Sequence, residues 1–332
     1  MKRTIAILLL PLALAACSED PPAEAQADAV TEPVLETDAA LLEAALACTE
    51  FTHPEREPVL LVHGTGTYGQ EQWSWNYVPY LSALGYDVCT VTYPDRGMID
   101  QQISAEYVVH AVRRVAAMSG RQVDMVGHSQ GASMPRWAIK WWPSVQDALD
   151  DFVLLAGPNH GTIYGEFGGP PTGMPAALWQ FGPGSMFITT LNQGDETPGA
   201  IDYTSIYTLF DELVQPAAPE ATAALDAGMD NPHVANILLQ DTCPGRPVDH
   251  LSIGLSDEMV ALLIVDALSN DGPADVERAG GAGLCTATQI VDPALALQKF
   301  AELGPGFTGS FPPGTHVVSE EPPLKAYAQD GG

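Results

Sequence analysis

The residues of this chain best placed to do chemistry are a serine, an aspartate and a histidine, met in that order. Ser129 is the centre of Gly127-His128-Ser129-Gln130-Gly131, which follows the apolar run Val123-Asp124-Met125-Val126 and precedes the amphipathic stretch Trp137 to Trp141. Where a strand turns this sharply into a helix, the central serine takes strained backbone angles and its hydroxyl stands clear of the sheet edge, able to attack a carbonyl carbon. Glycine suits positions 127 and 131 because a Cβ at either place would crowd the crossing of strand and helix. The five-residue pattern alone also describes an ordinary surface turn. The strand-like run before it and the helix-like run after it favour the nucleophile.

A serine nucleophile needs a base, a carboxylate to orient that base, and donors for the oxyanion. Ser205 to Phe210 reads as a strand with Asp211 at its C-terminal end, the same edge at which Ser129 opens. Asp195 and Asp202 fall in or beside a Gly- and Pro-rich insertion, and Asp249 adjoins the candidate base too closely to buttress its ring. Asp211 is therefore the candidate acid, a helix N-cap being its alternative role. Of the histidines beyond it, His233 precedes the last predicted strand (235–239) and His316 lies in a Pro-Gly-rich tail. His250 sits between that strand and an amphipathic helix expected from Ser256 to Leu268, where it can reach back to Ser129. The apolar run Pro58 to Val62 ends in His63-Gly64-Thr65-Gly66-Thr67, so the backbone N–H groups of Thr65 and Gln130 are the candidate oxyanion donors. A phosphate-cradling loop is the other reading of this Gly-Thr repeat, but no Lys-Ser/Thr follows it. His63 and His128 are expected to pack. No His, Asp or Glu cluster has metal-ligand spacing and Cys-x-x-Cys is absent, so neither metal nor other cofactor is expected. The chemistry implied is hydrolysis of an ester through an acyl-enzyme.

The elements that must position these residues alternate. Helical spacing marks 38–47, 75–84 with Gly85 as its C-cap, and 104–118 with Ser104 as its N-cap; strands are predicted at 58–62, 87–93, 123–128 and 152–156. This is the rhythm of an α/β protein with a mostly parallel sheet and crossover helices. Pro135 should interrupt the helix after the elbow. From 157 to 202 the composition turns Gly- and Pro-rich, with Met174, Leu178, Trp179, Phe181, Met186 and Phe187 among the turns. The segment reads as a cap whose apolar residues hold an acyl chain, or else as an insertion packed on the core.

The chain has 332 residues and a formal charge of -29 from 42 acidic and 13 basic residues, a surface that repels nucleic acid and anionic lipid. Lys2 and Arg3 precede the apolar run Ile5 to Leu14, which is shorter than the roughly 20 residues of a spanning helix and reads as an export signal over 1–16. Leu14-Ala15-Ala16-Cys17 resembles a bacterial lipobox, which implies a lipid on Cys17 and a membrane partner; Ser18 after it implies passage to the outer membrane, and the periplasmic face is the alternative. Signal cleavage near Ala15 or Ala16, with Cys17 incidental, is the other reading. Residues 17–37, acidic and rich in Pro and Ala, read as a disordered tether, leaving 38–332 as a single catalytic domain. The remaining cysteines, Cys48, Cys89, Cys243 and Cys285, read as two disulfides in an exported domain, with three pairings open; pairing neighbours closes the shortest loops.

Taken together, Pro58 to Thr67, Leu84-Gly85-Tyr86, Ser129-Gln130-Gly131, Asp211 to Pro216 and Asp249-His250 give residues 38 to 290 the appearance of the lipases of the α/β-hydrolase fold. The resemblance implies that fold with a cap insertion, a Ser129-Asp211-His250 triad, a hydrophobic ester substrate and pairing of Cys48 with Cys89 and Cys243 with Cys285. It also implies that Thr65 gives its hydroxyl as well as its N–H to the oxyanion. His63 and His128 stand where the lipases it otherwise follows carry proline and tryptophan. The Gly-His-Ser-Gln-Gly elbow and Pro158 to Thr162 look instead like bacterial lipases. Polyester hydrolysis or acyl transfer by the same triad, and a surface lipoprotein that only binds, are the alternatives.

Overall fold

The computed structural model describes residues 32–163, 173–226, 231–307 and 314–329. The apolar runs form the strands β1 (Leu46–Cys48), β2 (Val59–Val62), β3 (Val88–Val91), β4 (Val123–His128), β5 (Leu149–Leu155), β6 (Asp202–Tyr207) and β7 (Val234–Leu238). They make one sheet in the order β1-β3-β2-β4-β5-β6-β7. Within this sheet, among the described residues, β1 pairs antiparallel and the other pairings are parallel. Parallel strands are covered on both faces, which is why β2 and β3 are buried along their whole length and β4 and β5 are mostly apolar. Alternate residues of β2 divide between two cores: Leu60 and Val62 face the helices Gln101–Ser119 and Pro135–Trp141, while Val59 and Leu61 face Tyr77–Ala83 and Glu258–Ala267. The fold is the mostly parallel α/β arrangement expected.

Several boundaries differ from the sequence reading, most because a polar side chain ties the backbone differently. The helix expected over 75–84 is Tyr77–Ala83; it starts after Asn76, whose side chain accepts from Tyr77 N at 2.6 Å and donates to Leu255 O at 3.0 Å, and a separate short helix, Gly69–Trp73, precedes it. The long helix begins at Gln101 under an Asp100 cap rather than at Ser104. Likewise Asp257 Oδ1, not Ser256, caps the helix Glu258–Ala267 by accepting from Val260 N. Leu46 and Ala47, expected to end the first helix, instead form β1 with Cys48 and pair with β3. Pro135 does start a new helix after the short Gln130–Ser133.

Residues 32–37, at the end of the segment read as a tether, are docked on the domain. Trp142 Nε1 donates to Pro33 O at 2.8 Å, Thr37 N donates to the Glu106 carboxylate at 2.7 Å, and Glu32 accepts from Ser144 and Arg113. Residues 1–31, with the expected export signal and Cys17, lie outside the described residues. Disulfides join Cys48 to Cys89 and Cys243 to Cys285, the neighbour pairing.

In the region expected to be a cap, 164–172 lie outside the described residues. Of its apolar residues, Phe187 is fully buried and stacks on Trp137 with ring centroids 4.6 Å apart, so it belongs to the core beneath and not to an acyl site.

Candidate active site

Thr65, Ser129, Asp211 and His250 all follow the C-terminal ends of parallel strands, β2, β4, β6 and β7, so the loops that carry them gather at one sheet edge. That edge is where open α/β sheets place their ligands.

Ser129 ends β4 with φ 57 and ψ -121, a left-handed conformation that costs a non-glycine residue energy and persists only when its surroundings fix it. They do. Ser129 N donates to Leu155 O at 2.9 Å on the neighbouring strand. A Cβ on Gly127 would stand 1.8 Å from Gly131 O, and one on Gly131 would stand 2.3 Å from Val62 O. Both glycines are thus required by backbone contact. The loop after β2 closes on the same serine, since a Cβ on Gly64 would lie 3.1 Å from Ser129 Cβ.

Asp211 and His250 meet directly. His250 Nδ1 lies 2.9 Å from Asp211 Oδ2 and 3.1 Å from Oδ1, with both side chains buried. Asp211 stands four residues beyond β6, not at the strand's last position, and its Oδ1 accepts from Leu213 N and Val214 N at 2.9 and 2.7 Å. It therefore organises its own turn, although no helix follows for it to cap. His250 opens the helix His250–Leu255, whose N-cap is Asp249, accepting from Ser252 N at 2.7 Å. Glu212, which the sequence did not single out, accepts from His250 N at 3.0 Å.

Burial alone would pull the His250 imidazole down, but the charge and hydrogen bond of Asp211, with Glu212 and Asp249 beyond, outweigh it and raise its pKa. Burial likewise pushes Asp211 up, yet the imidazolium and the bonds from His250, Val214 and Leu213 leave it net lowered. The pair thus favours the charged forms of both partners.

The oxyanion candidates are adjacent. Thr65 Oγ1 donates to Gln130 Oε1 at 3.2 Å, and Gln130 Nε2 donates to Gly97 O at 2.9 Å. Gln130 is the first residue of its helix, a position whose backbone N–H has no intrahelical acceptor.

His128 does more than pack. Its Nε2 donates to His250 O at 2.8 Å, and its Nδ1 lies 3.2 Å from Gln72 Nε2. A carbonyl can only accept, so the proton is on Nε2 and Gln72 donates to Nδ1. Gln72 Oε1 in turn accepts from Gly64 N at 2.9 Å and Thr67 Oγ1 at 2.7 Å. One buried chain therefore ties the loop of Thr65 to the residue before Ser129 and to His250. Burial pushes His128 and His63 down to about 3, so both are neutral; His63 stacks on Tyr93 at 3.8 Å. Gln72 lies inside a short helix with no periodicity to mark it, so the sequence offered no signal for it. His233 and Asp202 pair with each other at 2.7 Å at the N-terminal ends of β7 and β6, away from this edge.

The chain is similar to known lipases. The family model described as lipase (class 2) matches residues 56–229. Lipase B of Pseudozyma antarctica is 28% identical over 208 residues, which is 61% of this chain, and the chain spans 60% of that relative's length. The crystal structure of Aspergillus fumigatus lipase B superposes with a TM-score of 0.82 at 28% identity, covering 95% of this chain and 77% of that one. A Bacillus licheniformis lipase in its propeptide form shares the fold alone, with a TM-score of 0.52 and 16% identity over 69% of this chain and 54% of its own. The match to the family model takes in β2 to β6 with Thr65, Ser129, Gln130 and Asp211, and by it the chain belongs to the class 2 lipase family.

Proposed function

We propose that this protein hydrolyses hydrophobic carboxylic esters through Ser129, His250 and Asp211. The observation that carries the reading is the buried Asp211–His250 pair at 2.9 Å, joined through His128 to the strained turn of Ser129. In this reading Asp211 fixes the His250 tautomer with the proton on Nδ1, and Nε2 takes the Ser129 proton as Oγ attacks the ester carbonyl. The N–H groups of Thr65 and Gln130, and the Thr65 hydroxyl after it leaves Gln130 Oε1, hold the oxyanion. His250 then protonates the departing alcohol, and water, activated by the same imidazole, releases the acid from Ser129.

An apolar acyl group is supported by Leu209 and Phe210, exposed immediately before Asp211, and by exposed Ile163, whose N–H donates to Gln215 O in the loop that follows. The test is hydrolysis of p-nitrophenyl esters of increasing chain length, with emulsified triglyceride and polyester film beside them. Ser129→Ala should abolish all of it, and retention of near-normal hydrolysis would refute the reading.

The two disulfides mark an exported protein. The lipobox-like Leu14-Ala15-Ala16-Cys17 supports a lipid anchor on Cys17. Mass spectrometry of the mature N-terminus should find diacylglyceryl-modified Cys17; an unmodified start at Ala16 or Cys17 would refute it.

A further inference from the structure

At the sheet edge opposite Ser129, a fault in strand pairing gathers three carboxylates. On β4 and β5, Val123 faces Leu149 and Met125 faces Phe152, so between these pairs Asp124 alone opposes both Asp150 and Asp151. Such a bulge lets two consecutive side chains attend one opposing residue. One oxygen from each of the three carboxylates lies within 4.8 Å of the other two. Asp124 is 1% and Asp151 5% exposed, and the Oδ1 atom of each is buried with no hydrogen-bond partner among the described residues. Carboxylate oxygens enclosed to this degree are ordinarily satisfied.

Among the described residues no cation is paired with them: the Asp151 backbone N–H donates to Asp124, and Arg278, though within electrostatic reach of Asp151, is engaged elsewhere. Burial, and then Asp124 and Asp150, push the Asp151 carboxyl up to about 9; burial, Asp150 and Glu57 raise that of Asp124 well above the carboxylate range. Asp202, which also faces Asp150 and Asp151, is paired with His233, and Arg278 is held by Asp266 at 2.8 Å. Two states relieve such a cluster: protons on the acids, or a cation between them.

We infer that Asp124, Asp150 and Asp151 form a binding site for one Ca2+ ion that ties the N-terminal ends of β4 and β5 together. Three carboxylates are a hard oxygen donor set, and Ca–O distances of about 2.3 to 2.6 Å match oxygens gathered within this span. Mg2+, at about 2.0 to 2.1 Å, demands a tighter and near-octahedral set. Asp150 is only half-buried, so water can reach the open side and complete the coordination. No metal-ligand spacing marks these residues along the chain, because Asp124 and Asp150 are brought together only by the pairing of two strands.

The test is calorimetric titration of the chelator-treated mature protein with CaCl2, with thermal unfolding near neutral pH in CaCl2, MgCl2 and NaCl of equal ionic strength. One Ca2+ should bind per chain and raise the unfolding midpoint by several degrees, more than Mg2+ does, while Na+ does not. Asp124→Asn with Asp151→Asn should abolish both effects, and the milder Asp150→Asn should weaken binding about tenfold or more, each leaving p-nitrophenyl ester hydrolysis unchanged. If the unsubstituted protein shows no saturable Ca2+ binding, or if its Ca2+-dependent shift persists in Asp124→Asn/Asp151→Asn, the inference is wrong and the acids hold protons instead. Binding by the unsubstituted protein decides the matter even where a variant does not fold.

Discussion

His128 Nε2 donates to the backbone carbonyl of His250 at 2.8 Å, so the residue before the elbow serine holds the main chain of the candidate base. The contact exists because Gly254, one turn along the helix of His250, has no Cβ: one placed there would lie 2.2 Å from His128 Cδ2. The other end of the imidazole reaches Gly64 through Gln72. Three loops remote in sequence are thus held in register by one neutral ring and one amide.

Gln72→Leu removes the acceptor of Gly64 N–H and the amide that donates to His128 Nδ1, while the Thr67 hydroxyl keeps Gly64 O as its acceptor at 3.0 Å. Unmet buried groups of this kind cost about 1 to 3 kcal/mol each at most, with partial relaxation. The variant should lower kcat about tenfold with KM little changed, and Gly254→Ala should do the same by displacing His128. A variant with normal kcat but reduced thermal stability would make this chain structural only.

Thr65→Val keeps the backbone N–H and the side-chain shape but removes the hydroxyl. If that hydroxyl joins the oxyanion hole, kcat should fall on the order of 10- to 100-fold, toward the loss seen when a full donor is deleted. Thr65→Ser should retain most activity. Steady-state kinetics on a soluble ester separates these outcomes.

The acid limb of kcat/KM reports the pKa of the free base. The base must be neutral, and Asp211 and Glu212 raise His250 above the ordinary histidine value. Activity should therefore be lost as pH falls through a midpoint above 6.5. Glu212→Gln should move that limb to lower pH. Asp211→Asn should move it further and lower kcat on the order of 10^4-fold, as the tautomer is no longer fixed. A limb unmoved in both variants would show that another group titrates.

Cys243 stands seven residues before His250, and its bond to Cys285 anchors the segment that carries the base. Closing a loop of this length restricts the unfolded chain by about 4 kcal/mol in the chain-entropy model. Cys243→Ser with Cys285→Ser should lower the denaturant midpoint accordingly, which urea unfolding followed by tryptophan fluorescence would measure.

What was legible in the sequence was what backbone physics writes locally. Continuous apolar runs placed β2, β4 and β7 to within a residue, β5 begins three residues before its expected start, and the glycines flanking Ser129 are demanded by contacts of 1.8 and 2.3 Å to backbone oxygens. Chain order pointed to Asp211 and His250, which meet in the structure, although Asp211 lies four residues beyond β6 and not at the strand end expected. What was hidden depends on partners far along the chain. Asn76, held by Leu255 O, sets where the helix Tyr77–Ala83 begins, Gln101 N is held by Gln180 Oε1, and β1 is strand only because β3 lies beside it. Gln72 and the bulge at Asp124 belong to the same class, since neither has a local pattern.

The most direct measurement of the central claim is intact-protein and peptide mass spectrometry after treatment with a fluorophosphonate. One adduct per chain should form on Ser129, with hydrolysis lost in proportion, and none should form on Ser129→Ala or after His250→Ala. Labelling at another residue, or hydrolysis that persists while Ser129 is fully modified, would contradict the account.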